Sequence, residues 1–164
     1  MSQSSDTRSV GRAIGLRVLA LHAWLYEHSD GRVGHRLIGL PTLLLRTTGR
    51  RSGLTRTNAL IYVSDGDRYV VVASAGGADR PPGWLLNLQG DPSVEIQIGR
   101  RRQAAVAEVV APDDADFERL WSMADANNRG RYTSYQARTA RKIPVVVLSP
   151  SPATNPDRRS HLAG

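Results

Sequence analysis

Three stretches of the chain concentrate residues able to bind or react. The first runs Thr48-Gly49-Arg50-Arg51-Ser52-Gly53 and continues to Arg56 and Asn58. Three arginines within seven residues, spaced by glycines, let backbone N–H groups and guanidinium forks converge on one anion. The Lys-Ser/Thr pair and four-residue glycine spacing of a Walker loop are missing. Spacing alone leaves two readings open, a specific anion site and a solvated hairpin. The second stretch, Ala73-Ser74-Ala75-Gly76-Gly77-Ala78, follows an apolar run. Its two glycines allow a flat ligand or a phosphate to approach the backbone closely, although a plain turn would use them equally. Trp84 and Asn87 follow one helical turn apart; a core position and a ring-edge contact with a ligand are both open to Trp84. The third stretch is Arg129-Gly130-Arg131-Tyr132-Thr133-Ser134-Tyr135-Gln136, which holds two of the five tyrosines. Three apart, they share a face on a helical turn, either to orient a carbonyl and relay a proton or to pack.

Composition removes several chemistries. Cysteine is absent, so disulfides and thiolate catalysis are excluded. His22, His28, His35 and His161 lack metal-ligand spacing, so no metal is expected. No Ser-His-Asp set, paired carboxylates in an apolar setting or nucleophile elbow stands out. A redox enzyme that borrows its chemistry from a cofactor needs none of these. The net charge is +7, and all but one of the 22 basic residues are arginine. GC-rich coding produces such a bias without function, whereas arginine forks would suit a polyanionic partner. Nucleic acid is not expected, because no helix-turn-helix, zinc-finger or aromatic RNA-binding signature accompanies the charge.

The elements that must position these stretches follow from periodicity. Residues 1–7 are polar and expected to be loose. Val10, Ile14, Val18, Leu21 and Leu25 predict an amphipathic helix over residues 8–28, with Arg8, Arg12 and Arg17 on its other faces. Its stripe could cover the domain's own core, the favoured reading, or lie on an anionic membrane surface. Strands are expected at Thr42–Thr47, Thr57–Val63, Tyr69–Ser74, Val94–Ile98, Gln103–Val110 and Val145–Leu148. Ser64-Asp65-Gly66-Asp67 reads as a hairpin, Pro81-Pro82 as the start of a short helix, and Pro112-Asp113-Asp114 as the start of another bearing Phe117, Leu120, Trp121 and Ala124. A polar loop follows, and residues 151–164 are expected to be a disordered tail. Six strands paired mostly as hairpins, with three helices, favour one mainly antiparallel barrel domain over residues 8–150. No apolar run is long enough to span a bilayer and no secretory cleavage pattern follows the first helix, so a cytoplasmic protein is expected.

Taken in order, Leu43-Leu44-Leu45-x-Thr47-x-Gly49-Arg50-Arg51-Ser52-Gly53-x-x-Arg56, Ala73-Ser74-x-Gly76-Gly77, Pro82-x-Trp84-x-x-Asn87-Leu88 and Tyr135-Gln136-x-x-Thr139-x-Arg141-x-Ile143-Pro144 resemble the deazaflavin-dependent nitroreductase family. The resemblance runs from about Trp24 to Pro150, and four motifs in order are more specific than any one. It implies a split β-barrel with coenzyme F420, an 8-hydroxy-5-deazaflavin, lying in a groove. It further implies that Arg50, Arg51, Ser52, Arg56 and Asn58, with neighbouring Ala59, hold the cofactor's phosphate–glutamate tail. Ser74, Ala75, Gly76, Gly77, Ala78, Trp84 and Asn87 would line its head group. Tyr132 and Tyr135 would be the catalytic, substrate-facing residues, with Ile61 and Arg129 beside the substrate. Four positions depart from the nitroreductase: Ala75 replaces a lysine, Ala59 a proline, Ile61 a pocket tyrosine and Arg129 a third late tyrosine. Nitroimidazole reduction therefore does not follow. The expected activity is hydride transfer from reduced F420 to an electron-poor small molecule such as an enone, quinone or nitro compound. The alternatives are a flavin mononucleotide barrel and a non-catalytic F420 carrier. A monomer and a homodimer are both compatible with the sequence, as is peripheral contact with the inner face of the membrane.

Overall fold

The computed structural model describes residues 39–152 together with a short strand at 36–37. The helix expected over residues 8–28 lies outside the described residues, as does the tail expected over residues 151–164 apart from its first two residues. The strands are β1 (Arg36–Leu37), β2 (Leu40–Thr48), β3 (Thr55–Asp65), β4 (Arg68–Val72), β5 (Ser93–Ile98), β6 (Arg101–Val110) and β7 (Val145–Pro150). Three helices join them: α1 (Gly83–Gly90), α2 (Phe117–Asn127) and α3 (Arg131–Gln136). Every pairing is antiparallel, in the order β1-β2-β3-β4-β7-β6-β5, and β5 returns to β2 with Leu45 opposite Ile96. Six strands thereby close into a barrel, which removes the sheet edges.

Each of the six expected strands is present, and the turns follow glycine chemistry. The β3–β4 loop is Gly66-Asp67, flanked by the pair Asp65 and Arg68, and Gly66 takes a φ of 65° that few other residues adopt. In β5 the alternation of Val94, Ile96 and Ile98 with polar neighbours marks its inward face. Alternation fails in β4 and β7 because both are covered twice, and they read as the valine runs 70–72 and 145–147. Their inward residues Val71, Val146 and Leu148 meet Leu43, Leu45 and Ile96 inside the barrel, where Trp84, Leu85 and Leu88 of α1 join the same cluster. Their outward residues Val70, Val72, Val145 and Val147 are covered by Phe117, Leu120 and Ala124 of α2 and Tyr132 of α3.

Two helical boundaries differ from the sequence reading. Residues 112–116 form turns, with Asp114 Oδ1 accepting from Asp116 N at 2.9 Å, so α2 starts at Phe117. Part of the expected polar loop is α3, which Asp125 launches. Its carboxylate accepts from the N–H groups of Tyr132 at 2.8 Å and Thr133 at 3.1 Å, donors that have no partner within their own helix.

The β3–β4 hairpin is fastened to α2 by charge. Asp65 accepts from Arg119 at 2.8 and 3.1 Å and from Arg68 at 2.6 Å. Arg119, bonded also to Asp116, is the main cause pulling the Asp65 carboxyl from 3.8 down to about 2. A pKa lowered in the folded state adds stability that is complete above the unfolded value and is lost as pH falls through the folded one. Urea midpoints should therefore fall in wild type between pH 4 and pH 2, roughly the window of these two values, and fall less in Arg119→Met. Parallel acid profiles for the two proteins would contradict that role.

Candidate functional site

β2 and β4 both run antiparallel to β3, so the chain leaves both at the same end of the barrel. The arginine loop leaves β2 there and the glycine turn leaves β4. The arginine loop is tightly wound: Gly49 N donates to Leu54 O at 2.8 Å, while Ser52 N and Gly53 N reach Gly49 O at 3.2 and 2.7 Å. A Cβ on Gly49 would lie 3.0 Å from both Leu54 O and Ser52 Oγ, so a side chain there would require the loop to give by a few tenths of an ångström. Arg50, Arg51, Ser52 and Arg56 are exposed, and none of the three arginines makes an ion pair among the described residues. Arg46, below them in β2, is different. It is buried and bonded to Glu95 and Gln97, both at 2.9 Å.

Asn87 holds this loop from beneath. Buried on α1, it accepts from Arg50 N at 3.2 Å and donates to Thr47 Oγ1 at 3.0 Å. The resemblance grouped it with the head-group residues, but its side chain is bonded under the arginine loop. Trp84, one turn earlier, is buried in the barrel core at 5% exposure. On β3, Arg56 and Asn58 share the strand face of Leu60 and Tyr62, whereas Ala59 and Ile61 share the opposite one, where Ala59 packs on Leu44.

The glycine turn is left-handed through three residues: Ala75, Gly76 and Gly77 have φ of 47°, 65° and 79°. Ser74 before them is right-handed helical, and Ala78 after them is extended. A right-handed residue followed by a left-handed one makes consecutive N–H groups converge into an anion-binding concavity. The N–H groups of Ser74 and Ala75 have no backbone acceptor among the described residues, while those of Gly77 and Ala78 close the turn onto Ser74 O and Ala75 O. Holding Ala75 in this region costs about 1–2 kcal/mol, a strain typical of a ligand site.

α3 packs against this turn. A Cβ on Gly77 would stand 2.7 Å from Tyr135 O, so only glycine permits the contact. Tyr135 is half-buried, with the Arg138 guanidinium 5.5 Å from its ring centroid. Tyr132 is buried between Tyr135 and Trp121, at centroid distances of 6.3 and 6.4 Å. Burial, then the neighbouring Tyr135 and Asp125, pushes the Tyr132 phenol above its ordinary range, so it stays protonated at neutral pH. Arg129 is exposed and left-handed at φ 59°, beside Asn128, whose Oδ1 is buried without a partner among the described residues. Asn127 ties this corner to the Tyr62 carbonyl at 3.1 Å, next to Ile61.

The proposed site residues thus fall into three groups: an exposed cationic loop, a strained donor turn, and a tyrosine pair on the helix behind that turn. Sequence reasoning gave no role to Arg141, Thr47 or Asp125, whose partners are remote in sequence or on the main chain. The Tyr135 to Pro144 motif carries part of the resemblance, but nothing in its spacing tells which of its side chains bond the backbone.

Comparison with known proteins identifies relatives of the chain. A family model described as F420H(2)-dependent quinone reductase matches residues 18–150. An F420H(2)-dependent quinone reductase of Mycobacterium tuberculosis (strain H37Rv) is 48% identical over 144 residues, covering 87% of this chain and 97% of the relative. Among solved structures, the F420-H2 dependent reductase FDR-A superposes with a TM-score of 0.59 at 32% identity, covering 66% of this chain and 94% of that one. A second, described as a domain-swapped dimer, has a TM-score of 0.60 at 28% identity, covering 77% and 97%.

Proposed function

Because the chain belongs to the F420H(2)-dependent quinone reductase family, we propose that it reduces a quinone, with enones and nitro compounds as further acceptors, at the end of the barrel from which the arginine loop and the glycine turn both leave. The observation that supports this reading is the pairing of three exposed arginines with a turn whose Ser74 and Ala75 N–H groups are unspent, the arginines having no acidic partner and the two donors no backbone acceptor among the described residues. The donor set fits the cofactor: a polyanionic tail needs charged forks, and a flat ring with polar edges needs close backbone donors. When bound, F420 in its reduced form supplies the hydride.

The protein's part is to bind, orient and supply or accept a proton. Arg50, Arg51 and Arg56 would grip the tail, with Ser52 and Asn58 beside them, and Asn87 would keep the loop seated on α1. Ser74, Ala75, Gly76, Gly77 and Ala78 would bring backbone against the ring. Of the two tyrosines, Tyr135 is the better proton source. Burial makes Tyr132 a weaker acid, and its ring is enclosed by Trp121 and its neighbours. Tyr132 would then set the position of Tyr135.

Anaerobic mixing of protein, reduced F420 and a naphthoquinone tests this reading. Multiple-turnover oxidation of the cofactor is expected, and binding without oxidation would favour a carrier. Tyr135→Phe should lower kcat by about 100-fold or more, the lower range for a positioned acid, with cofactor affinity unchanged. Wild-type kcat in that variant would remove the tyrosine from the mechanism. Among the described residues no helix is long and apolar enough to cross a membrane.

A further inference from the structure

The motif Gln136-x-x-Thr139-x-Arg141-x-Ile143 forms one network directed at the glycine turn. Gln136 Oε1 accepts from Ile143 N at 2.9 Å, and its Nε2 donates to the carbonyls of Arg141 at 2.8 Å and Thr139 at 3.3 Å. Thr139 Oγ1 bonds Asp79 at 3.0 Å. Arg141, fixed by these contacts and half-buried, spends its guanidinium on main-chain carbonyls alone. Nε reaches Ala78 O at 2.9 Å, and Nη2 reaches Ala73 O at 3.0 Å and Ser74 O at 2.8 Å.

In a planar trans peptide the C=O and the following N–H point in opposite directions. Drawing the carbonyls of Ala73 and Ser74 to one side therefore turns the N–H groups of Ser74 and Ala75 to the other. Among the described residues both lack a backbone acceptor, as does Gly76 N. The same fork, through Ala78 O, closes the far end of the left-handed segment and offsets the strain at Ala75.

We propose that Arg141 is a positioning residue of the cofactor site, which aims the Ser74 and Ala75 N–H groups at the polar edge of the bound deazaflavin ring. This rests on the reading of the chain as an F420 enzyme. A lysine could bond one or two of these carbonyls but not span all three with a planar fork.

The test compares wild type, Arg141→Lys and Arg141→Met as full chains. Two ligands are titrated by fluorescence: F420, and a 5-deazaflavin riboside that lacks the phosphate–glutamate tail. Amide exchange at Gly77 and Ala78 is followed in the ligand-free proteins. Arg141→Met should exchange faster at both amides and bind the riboside at least about tenfold more weakly, the worth of one or two hydrogen bonds. Arg141→Lys should lie between, and keeps the question answerable if Arg141→Met does not fold. A lower Tm with unchanged riboside affinity would make Arg141 a structural residue only and overturn the proposal. Failure of wild type to bind either deazaflavin would instead sink the F420 reading, and this proposal with it.

Discussion

Arg51→Ala and Arg56→Ala should each weaken F420 binding by roughly ten- to hundredfold and leave Tm where it is. Losing a charge-assisted hydrogen bond costs about 1.5–3 kcal/mol, which converts to that range of affinity. Stability should be indifferent because both side chains are exposed and neither makes an ion pair among the described residues. The loop's shape comes from Gly49 and Asn87, not from the guanidiniums. Affinity of the wild type should also fall as salt rises, since exposed charges are screened. Titrations at two ionic strengths and thermal melts check all three statements. Unchanged dissociation constants in both variants would make the loop a solvated hairpin.

The second large effect is expected at Gly77. Gly77→Ala must hold an alanine at φ 79° and drive its Cβ toward Tyr135 O at 2.7 Å and Tyr135 Cα at 3.2 Å, main-chain atoms that cannot swing aside. The backbone strain is about 1–2 kcal/mol, and the overpacking adds about 1–3 kcal/mol. Gly76→Ala is the matched control. Its φ of 65° carries the same strain, but its Cβ would enter open space. Gly77→Ala should melt well below Gly76→Ala and should reduce turnover, because α3 and Tyr135 are pushed off the turn. Equal melting temperatures would show that the turn and α3 can separate without consequence.

How much of this could be read in the sequence depended on whether the cause was local. The β5 alternation and the Gly66 turn announce themselves within a few residues. The valine runs of β4 and β7 were recognisable as strands, but the layers covering their two faces come from α2, α3 and the barrel interior. α3 escaped because it has six residues and its start is set by Asp125, a carboxylate on the preceding helix. At the site, the arginine loop and the glycine turn stood out by composition. That both leave the barrel at one end did not, since it follows from the shared direction of β2 and β4. Asn87 illustrates the limit: its motif was noticed, but its partner Thr47 lies forty residues away in sequence. The tyrosine spacing was right about a shared helical turn, and only packing separates buried Tyr132 from half-buried Tyr135.

A parallel equilibrium titration with F420 and flavin mononucleotide tests the central claim most directly. The two ligands share a flat tricyclic ring and a phosphate, and differ in the ring atom at position 5 and in the anionic glutamate tail. Three exposed arginines exceed what one phosphate requires, so F420 should bind more tightly, and the margin should shrink in Arg51→Ala and Arg56→Ala. Equal or tighter binding of flavin mononucleotide by the wild-type protein would contradict the account.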